Sequence, residues 1–255
     1  MSSPTLFAPP LEGRRPGDTV ELEHEEARHL EVLRLVPGDS LVLTDGRGSR
    51  WSARLEPESR ACCTLLSALE SPSPLPAELA FALAGKARTL WLVEKAAELG
   101  TRRLCPVVFA RSRSVADAAR SPAFWQKAER RAVSALKQSG GAWLPEIAEP
   151  VGLTRYLHEV GISADTPRVL LDAAGAPLRT LLSDWSGGVA RFLIGPEGGL
   201  EPAEIEACER AGFRRARLGG RTMRFETAAI ACLAATALHV DEAAWHGPIR
   251  GGGAS

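Results

Sequence analysis

The run Ala190-Arg-Phe-Leu-Ile194, followed by Gly195-Pro196-Glu197-Gly198-Gly199-Leu200, decides how the chain is read. A short apolar stretch bounded by turn residues reads as a buried strand. The glycines that end it carry no Cβ, so the backbone there can come close to a ligand. A helix over residues 202–211 follows, with Glu201 and Glu204 at its start. The same alternation extends outward. Residues 79–83, 104–109 and 168–172 read as strands, and residues 88–99, 122–138 and 228–239 as helices. Alternating strands and helices pack as an α/β domain around a largely parallel sheet.

Upstream the pattern changes. Leu41-Val-Leu and Trp51-Ser-Ala-Arg-Leu55 flank Thr44-Asp45-Gly46-Arg47-Gly48, so two short strands around an Asp-Gly turn predict a hairpin. Residues 24–35 read as a short helix, which Val36-Pro-Gly-Asp39 stops. Ser71-Pro-Ser-Pro-Leu-Pro76 carries three prolines in six residues and reads as an extended linker. The expected organisation is a small β-rich domain over residues 1–70, an α/β domain over 76–245, and a glycine-rich, disordered tail over 246–255.

Composition narrows the function. An apolar fraction of 45% and a charged fraction of 24% in 255 residues suit a chain with a packed core. No apolar stretch approaches the roughly 20 residues of a membrane span, and the first residues lack a signal-peptide pattern. A cytoplasmic protein is the simplest reading. Five cysteines at irregular spacing, with no Cys-x-x-Cys pair, support neither a disulfide framework nor a zinc site. His24 and His29 are five apart, not the four that a zinc protease helix needs, so no metal is expected. Net charge is zero, which argues against a protein that simply coats nucleic acid. The stretch from Arg102 to Lys137 is nevertheless basic, with Arg111, Arg113, Arg130 and Arg131 among its cations. Phosphate binding and a solvated helix surface are both open for it.

Three loops follow strands in the second half: Leu171-Asp172-Ala-Ala-Gly175-Ala, Ile194-Gly-Pro-Glu-Gly-Gly-Leu200, and Leu218-Gly219-Gly220-Arg221-Thr222-Met223-Arg224-Phe225-Glu226-Thr227-Ala228. In an open parallel sheet, ligands bind outside the carboxyl ends of the strands. The second loop is neither Gly-x-Gly-x-x-Gly nor a P-loop, so a nucleotide-binding oxidoreductase lacks its fingerprint here.

Taken together, Ile194-Gly-Pro-Glu-Gly-Gly-Leu…Glu204-Ile…Gly212-Phe…Leu218-Gly-x-Arg221-x-x-Arg224-x-Glu226-Thr-Ala closely resembles the RsmE family, the 16S ribosomal RNA uridine-N3 methyltransferases of the SPOUT superfamily. Lys86, Lys95-Ala-Ala-Glu-Leu-Gly-Thr101 and Pro106 resemble a second family region, and His29-Leu…Val32-Leu-Arg34-Leu…Gly38-Asp its N-terminal signature. The resemblance covers most of residues 5–240. It implies a PUA-like β-barrel ahead of a trefoil-knotted SPOUT methyltransferase domain, a homodimer, and S-adenosylmethionine as cofactor.

The resemblance also implies roles. Leu171, Asp172, Gly175, Ile194, Gly195, Pro196, Glu197, Gly198, Gly199, Leu218, Gly219, Arg221, Met223, Thr227 and Ala228 would hold the cofactor. Arg221 and Arg224 would stabilise the uridine N3 anion or bind phosphate. Glu226 is a candidate base, with a brace at a helix N-terminus as the favoured alternative. His29, Arg34, Arg111 and Arg113 would contact 16S ribosomal RNA within the small subunit. The chain departs from the family at Gly140, where an Arg is common after Gln-Ser, and at Gly220, where Pro is frequent; Thr222, Met223 and Phe225 are also unusual. A related methyltransferase acting on transfer RNA or a ribose oxygen, and a non-catalytic assembly protein, are the competing readings.

Overall fold

The computed structural model describes residues 3–57, 61–71, 73–112, 121–160, 166–183, 185 and 188–244. Strands β1 (Thr5–Phe7), β2 (Thr19–Glu21), β3 (Ser40–Thr44), β4 (Arg50–Leu55) and β5 (Cys62–Ala68) form a five-stranded sheet ordered β1-β3-β4-β5-β2. Leu41 and Leu43 alternate along β3, as do Trp51, Ala53 and Leu55 along β4; all point into one core with Leu6, Leu11 and Leu65. That period of two is what a sheet with one buried face requires.

The predicted hairpin joins β3 to β4, and Asp45 is the hub of its turn. One carboxylate oxygen accepts the N–H groups of Arg47 (2.8 Å) and Ser49 (3.1 Å), while the other accepts that of Leu11 at 3.0 Å. Helix α1 (His24–Val32) is shorter than the predicted 24–35. Its exit explains why. Arg34 sits at φ 56°, and the Leu35 N–H returns to the Leu30 carbonyl at 3.1 Å, closing the helix in a left-handed cap.

The second sheet contains β6 (Leu75–Ala82), β7 (Thr101–Val108), β8 (Glu146–Ile147), β9 (Val151–Gly152), β10 (Arg168–Pro177), β11 (Ala190–Ile194) and β12 (Arg214–Arg217). Its order is β12-β10-β11-β6-β7-β8, with β9 also on β7, and every pairing is parallel. Among the described residues six helices cover it: α2 (Lys86–Glu98), α3 (Pro122–Ser139), α4 (Leu153–Val160), α5 (Leu178–Ser183), α6 (Pro202–Arg210) and α7 (Phe225–Ala244). Both sheet faces are buried. Leu79, Phe81 and Phe192 point to the layer with α2, α3 and α7, and Ala80, Ala82 and Leu193 to the layer with α4 and α6. The apolar runs without alternation follow from this.

Two departures from the sequence reading have local causes. The linker is shorter than expected, because Leu75 and Pro76 already belong to β6. The ladder shifts register between Leu75 and Glu78, which accommodates a proline that has no N–H to donate. Residues 171–176, read as a loop, are assigned within β10. Leu171 and Ala176 both face Ala216 of β12, so residues 172–175 are pushed out of the ladder as a bulge.

The two units are docked. Lys137 on α3 pairs with the buried Glu26 of α1 at 2.5 Å. The Gly48 N–H donates to the Ala142 carbonyl and the Leu144 N–H to the Gly46 carbonyl, each at 2.8 Å. A Cβ on Gly48 would come within 2.4 Å of the Trp143 ring, so a glycine is needed for this approach. Gly140 has its own reason: it ends α3 at φ 68°, in the left-handed region that favours glycine. All five cysteines are free. No described helix is long and apolar enough to cross a membrane. The expected tail lies outside the described residues.

Candidate active site

The carboxyl ends of β10, β11 and β12 meet in a cleft of about 610 Å³, within the size range of sites that take a small organic ligand. Its walls are the bulge of β10, the glycine loop after β11 and the segment after β12. Of the predicted cofactor residues, Leu171, Asp172, Ile194, Gly195, Pro196, Glu197, Gly199, Leu218, Gly219, Arg221, Met223 and Ala228 line it. Arg224 lines it too, whereas Gly175, Gly198, Thr227 and Glu226 do not.

Each wall is braced from behind. In the bulge, the Asp172 carboxylate takes the Arg215 guanidinium at 2.9–3.0 Å and the Ala174 N–H at 2.8 Å. Its charge is thus largely committed before any ligand arrives. Gly175 is buried against β12: a Cβ there would lie 2.4 Å from the Ala216 nitrogen, and the Gly175 carbonyl accepts from Arg217 at 2.6 Å. The glycine permits the bulge to close on its neighbour.

The glycine loop turns through a Gly199 N–H to Pro196 carbonyl bond of 2.8 Å, with Gly199 at φ 73°. Behind it stands Glu204 of α6. One of its oxygens accepts the Glu201 N–H at 2.9 Å, completing a capping box, and the other accepts the Ala110 N–H at 2.8 Å. Glu204 therefore ties the start of α6 to the end of β7. Arg111 follows in a 3-10 turn (Ala110–Ser112), and its guanidinium donates to the Gly198 carbonyl at 2.5 Å. Arg88, in the first turn of α2, pairs with Glu197 and lies 4.0 Å from a Glu226 oxygen. Its charged form is favoured chiefly by the hydrogen bond to Glu197, with Glu226 a smaller contributor. The same guanidinium lies 5.8 Å from the centroid of the Phe225 ring.

The third wall is open. Residues 219–224 are exposed, and Arg221 and Arg224 have no ion pair among the described residues. Glu226 faces the other way. Its side chain is only 13% exposed, and one oxygen, buried and without a hydrogen-bond partner, lies near Arg88. That position sets Glu226 beside Arg88 and outside the lining of the cleft.

Three of the four expected RNA contacts fall within the described residues, on separate elements. Arg111 is engaged with the glycine loop, His29 and Arg34 lie on α1 and its exit, and Arg113 lies outside the described residues. Sequence reading missed Arg88, Glu204 as a tie and Arg217, which also lines the cleft. Glu204 carried a signal, since Glu201-x-x-Glu204 before a helix is a capping pattern. Arg88 and Arg217 carried none, because their partners are far away in the chain. The described residues hold no group of three metal-ligating side chains.

Residues 71–237 match the model of the RNA methyltransferase domain family, well over half of the chain. The chain belongs to that family. A second match, to the RNA methyltransferase PUA domain, covers residues 22–65 of this RNA methyltransferase. Its relatives include the ribosomal RNA small subunit methyltransferase E of Synechocystis, 28% identical over 85% of this chain and 72% of that protein. The protein of the same name from Mycobacterium bovis is also 28% identical, over 86% of each chain. Among solved structures, ribosomal RNA small subunit methyltransferase E from Neisseria gonorrhoeae, bound to S-adenosyl methionine, has a TM-score of 0.78 at 29% identity and covers 92% of this chain and 96% of that one. A Legionella pneumophila structure, described as a putative methyltransferase with bound cofactor SAM, has the same TM-score at 26% identity, covering 92% and 97%. The RNA methyltransferase thus has the α/β domain with a PUA-like N-terminal unit that its sequence resembles.

Proposed function

We propose that this RNA methyltransferase transfers the methyl group of S-adenosylmethionine to N3 of a uridine in small-subunit (16S) ribosomal RNA. The observation that carries this reading is the convergence of three family segments on one cleft of ligand size. The names of the relatives and the ligand in two similar structures support it. The residues present fit the cofactor. Leu171, Ile194, Leu218 and Met223 offer apolar surface for a purine and a thioether chain. Gly219 leaves open space where any other residue would carry a Cβ.

When bound, S-adenosylmethionine supplies a sulfonium methyl that is already strongly electrophilic. The protein's task is then alignment and charge. The bulge, the glycine loop and the third wall fix the ligand's position, and alignment alone lowers such barriers by several kcal/mol. Uridine N3 gives its proton to solvent water or hydroxide at the open third wall, and the exposed Arg221 and Arg224 stabilise the anion that results. Glu226 acts as a brace through Arg88. The remaining site residues, Gly175, Gly198 and Thr227, shape the walls from outside the cleft.

The wider arrangement belongs to the same reading. Residues 1–70 form the RNA-gripping unit, with His29 and Arg34 on its surface, and residues 76–245 the catalytic unit. The chain works as a homodimer on the small subunit, in the cytoplasm. The trefoil crossing rests on the resemblance of the chain to the RsmE family. The test is direct. Small subunits from cells lacking the endogenous modification are incubated with the protein and labelled S-adenosylmethionine, and the RNA is digested to nucleosides. Label in N3-methyluridine is the expected result; label in a ribose-methylated nucleoside, or cofactor binding without transfer, refutes the reading.

A further inference from the structure

Behind the third wall lies a second cavity, of about 790 Å³, between the end of β10, α5 and the later turns of α7. It shares Arg217, Leu218 and Gly219 with the cofactor cleft, so the two are separated by one short stretch of chain. Its lining combines Arg179, Arg217 and His239 with Leu178, Leu182 and Leu238, and contains no carboxylate among the described residues.

Two features prepare it for a ligand. The Arg217 side chain is held across the β10–β12 junction by its 2.6 Å bond to the Gly175 carbonyl, which fixes where the guanidinium sits. A guanidinium has five donors, so most of them remain for another acceptor. The His239 ring stacks on Trp185 with centroids 5.6 Å apart and planes 20° from parallel, beside a Leu238 that is 66% exposed. A fixed cation, a second exposed cation and a flat aromatic pair with apolar surroundings match the chemistry of single-stranded nucleic acid. Phosphodiesters pair with arginine, and bases stack on aromatic faces without regard to sequence.

We propose that this cavity is a substrate subsite that holds a nucleotide flanking the target uridine. Its phosphate lies against Arg179 and Arg217, and its base against the His239 ring, which Trp185 backs. The shared wall then sets the target base at the cofactor cleft while its neighbour is held behind Leu218 and Gly219. This rests on the RNA methyltransferase reading above and adds to it where the strand runs. A second protein copy seated on Leu238 is the competing occupant; Arg179, Arg217 and the aromatic ring of His239 in one lining favour the polyanion.

The experiment compares the intact protein with Arg179→Ala, Arg179→Lys and His239→Ala, using unmodified small subunits and a fluorescein-labelled single-stranded RNA spanning the methylated site. Arg179→Ala is expected to raise KM for RNA several-fold and to lower the slope of log affinity against log salt by about 1. Arg179→Lys recovers part of the affinity, and His239→Ala weakens binding without changing the salt slope. Calorimetric cofactor affinity and Tm stay at the wild-type values, which separates the subsite from the cofactor cleft. Unchanged KM and salt slope in Arg179→Ala overturn the proposal, as does a loss confined to dimer formation in sedimentation. Failure of the wild type to methylate any subunit RNA would instead remove the underlying function.

Discussion

Replacing Gly219 by Ala separates the cleft's role from the fold's. In the ligand-free protein a Cβ at this position meets nothing within 4 Å, and the backbone is outside the left-handed region that only glycine favours. The substitution therefore costs no packing. By restricting the unfolded chain it stabilises the protein by about 0.5 kcal/mol, or about 1–2 °C in Tm for a chain of this size. The cofactor sees the opposite sign. If the ligand lies against this stretch of backbone, the added methyl occupies space that the ligand needs, and overpacking of that kind costs about 1–3 kcal/mol. Affinity for S-adenosylmethionine should then fall about 5- to 150-fold. Thermal unfolding without ligand and titration calorimetry with S-adenosylmethionine read the two quantities on one preparation. A variant that binds the cofactor as wild type does would refute the placement of the ligand, and one that loses several degrees of Tm would refute the claim of open space.

Other expectations follow from the same geometry. Gly175→Ala sets a Cβ 2.4 Å from backbone atoms of β12, which no rotamer relieves, so stability should drop by about 3 kcal/mol or more, measured by urea unfolding. Arg34→Gly removes a left-handed conformation from a residue with a Cβ and should gain about 1 kcal/mol by the same assay; if the Arg34 side chain holds RNA phosphate, the salt slope of RNA binding falls alongside. Burial pushes the Cys63 and Cys208 thiols up to about 12 and Cys105 to about 11, and pushes Cys232 up as well. At pH 8 a thiol reagent should thus find one fast site, the half-buried Cys62, and four more only on denaturation. The same shifts set a pH dependence. Native pKa values lie above the unfolded value of about 8.5, so these thiols add stability below it, and this is lost as pH rises through 11 to 12. Tm at pH 10.5 should lie below Tm at pH 8.

Much of this architecture could be read from the chain. Buried parallel strands announce themselves as apolar runs, and the glycines after Ile194 and Leu218 mark where a ligand can approach. What escaped reading depends on distant partners. The β10 bulge is invisible in Leu171-Asp-Ala-Ala-Gly-Ala, because only the shared pairing of Leu171 and Ala176 with Ala216 defines it. Pro76 looked like linker until a register shift in the β6–β7 ladder gave it a place. Arg88 is an ordinary helix residue until Glu197, 109 positions away, closes on it. Gly140 looked like a missing arginine and is a helix terminus instead. Arg111 carried no sign of its tie to the Gly198 carbonyl, 87 positions away.

The most direct test of the central claim is a crystal structure with S-adenosylhomocysteine, the reaction's expected product. The account predicts the ligand in the cleft between Leu171, Gly195 and Leu218, its sulfur facing the open side where Arg221 and Arg224 stand. Ligand bound elsewhere, or a cleft that stays unchanged at millimolar concentrations, would contradict it.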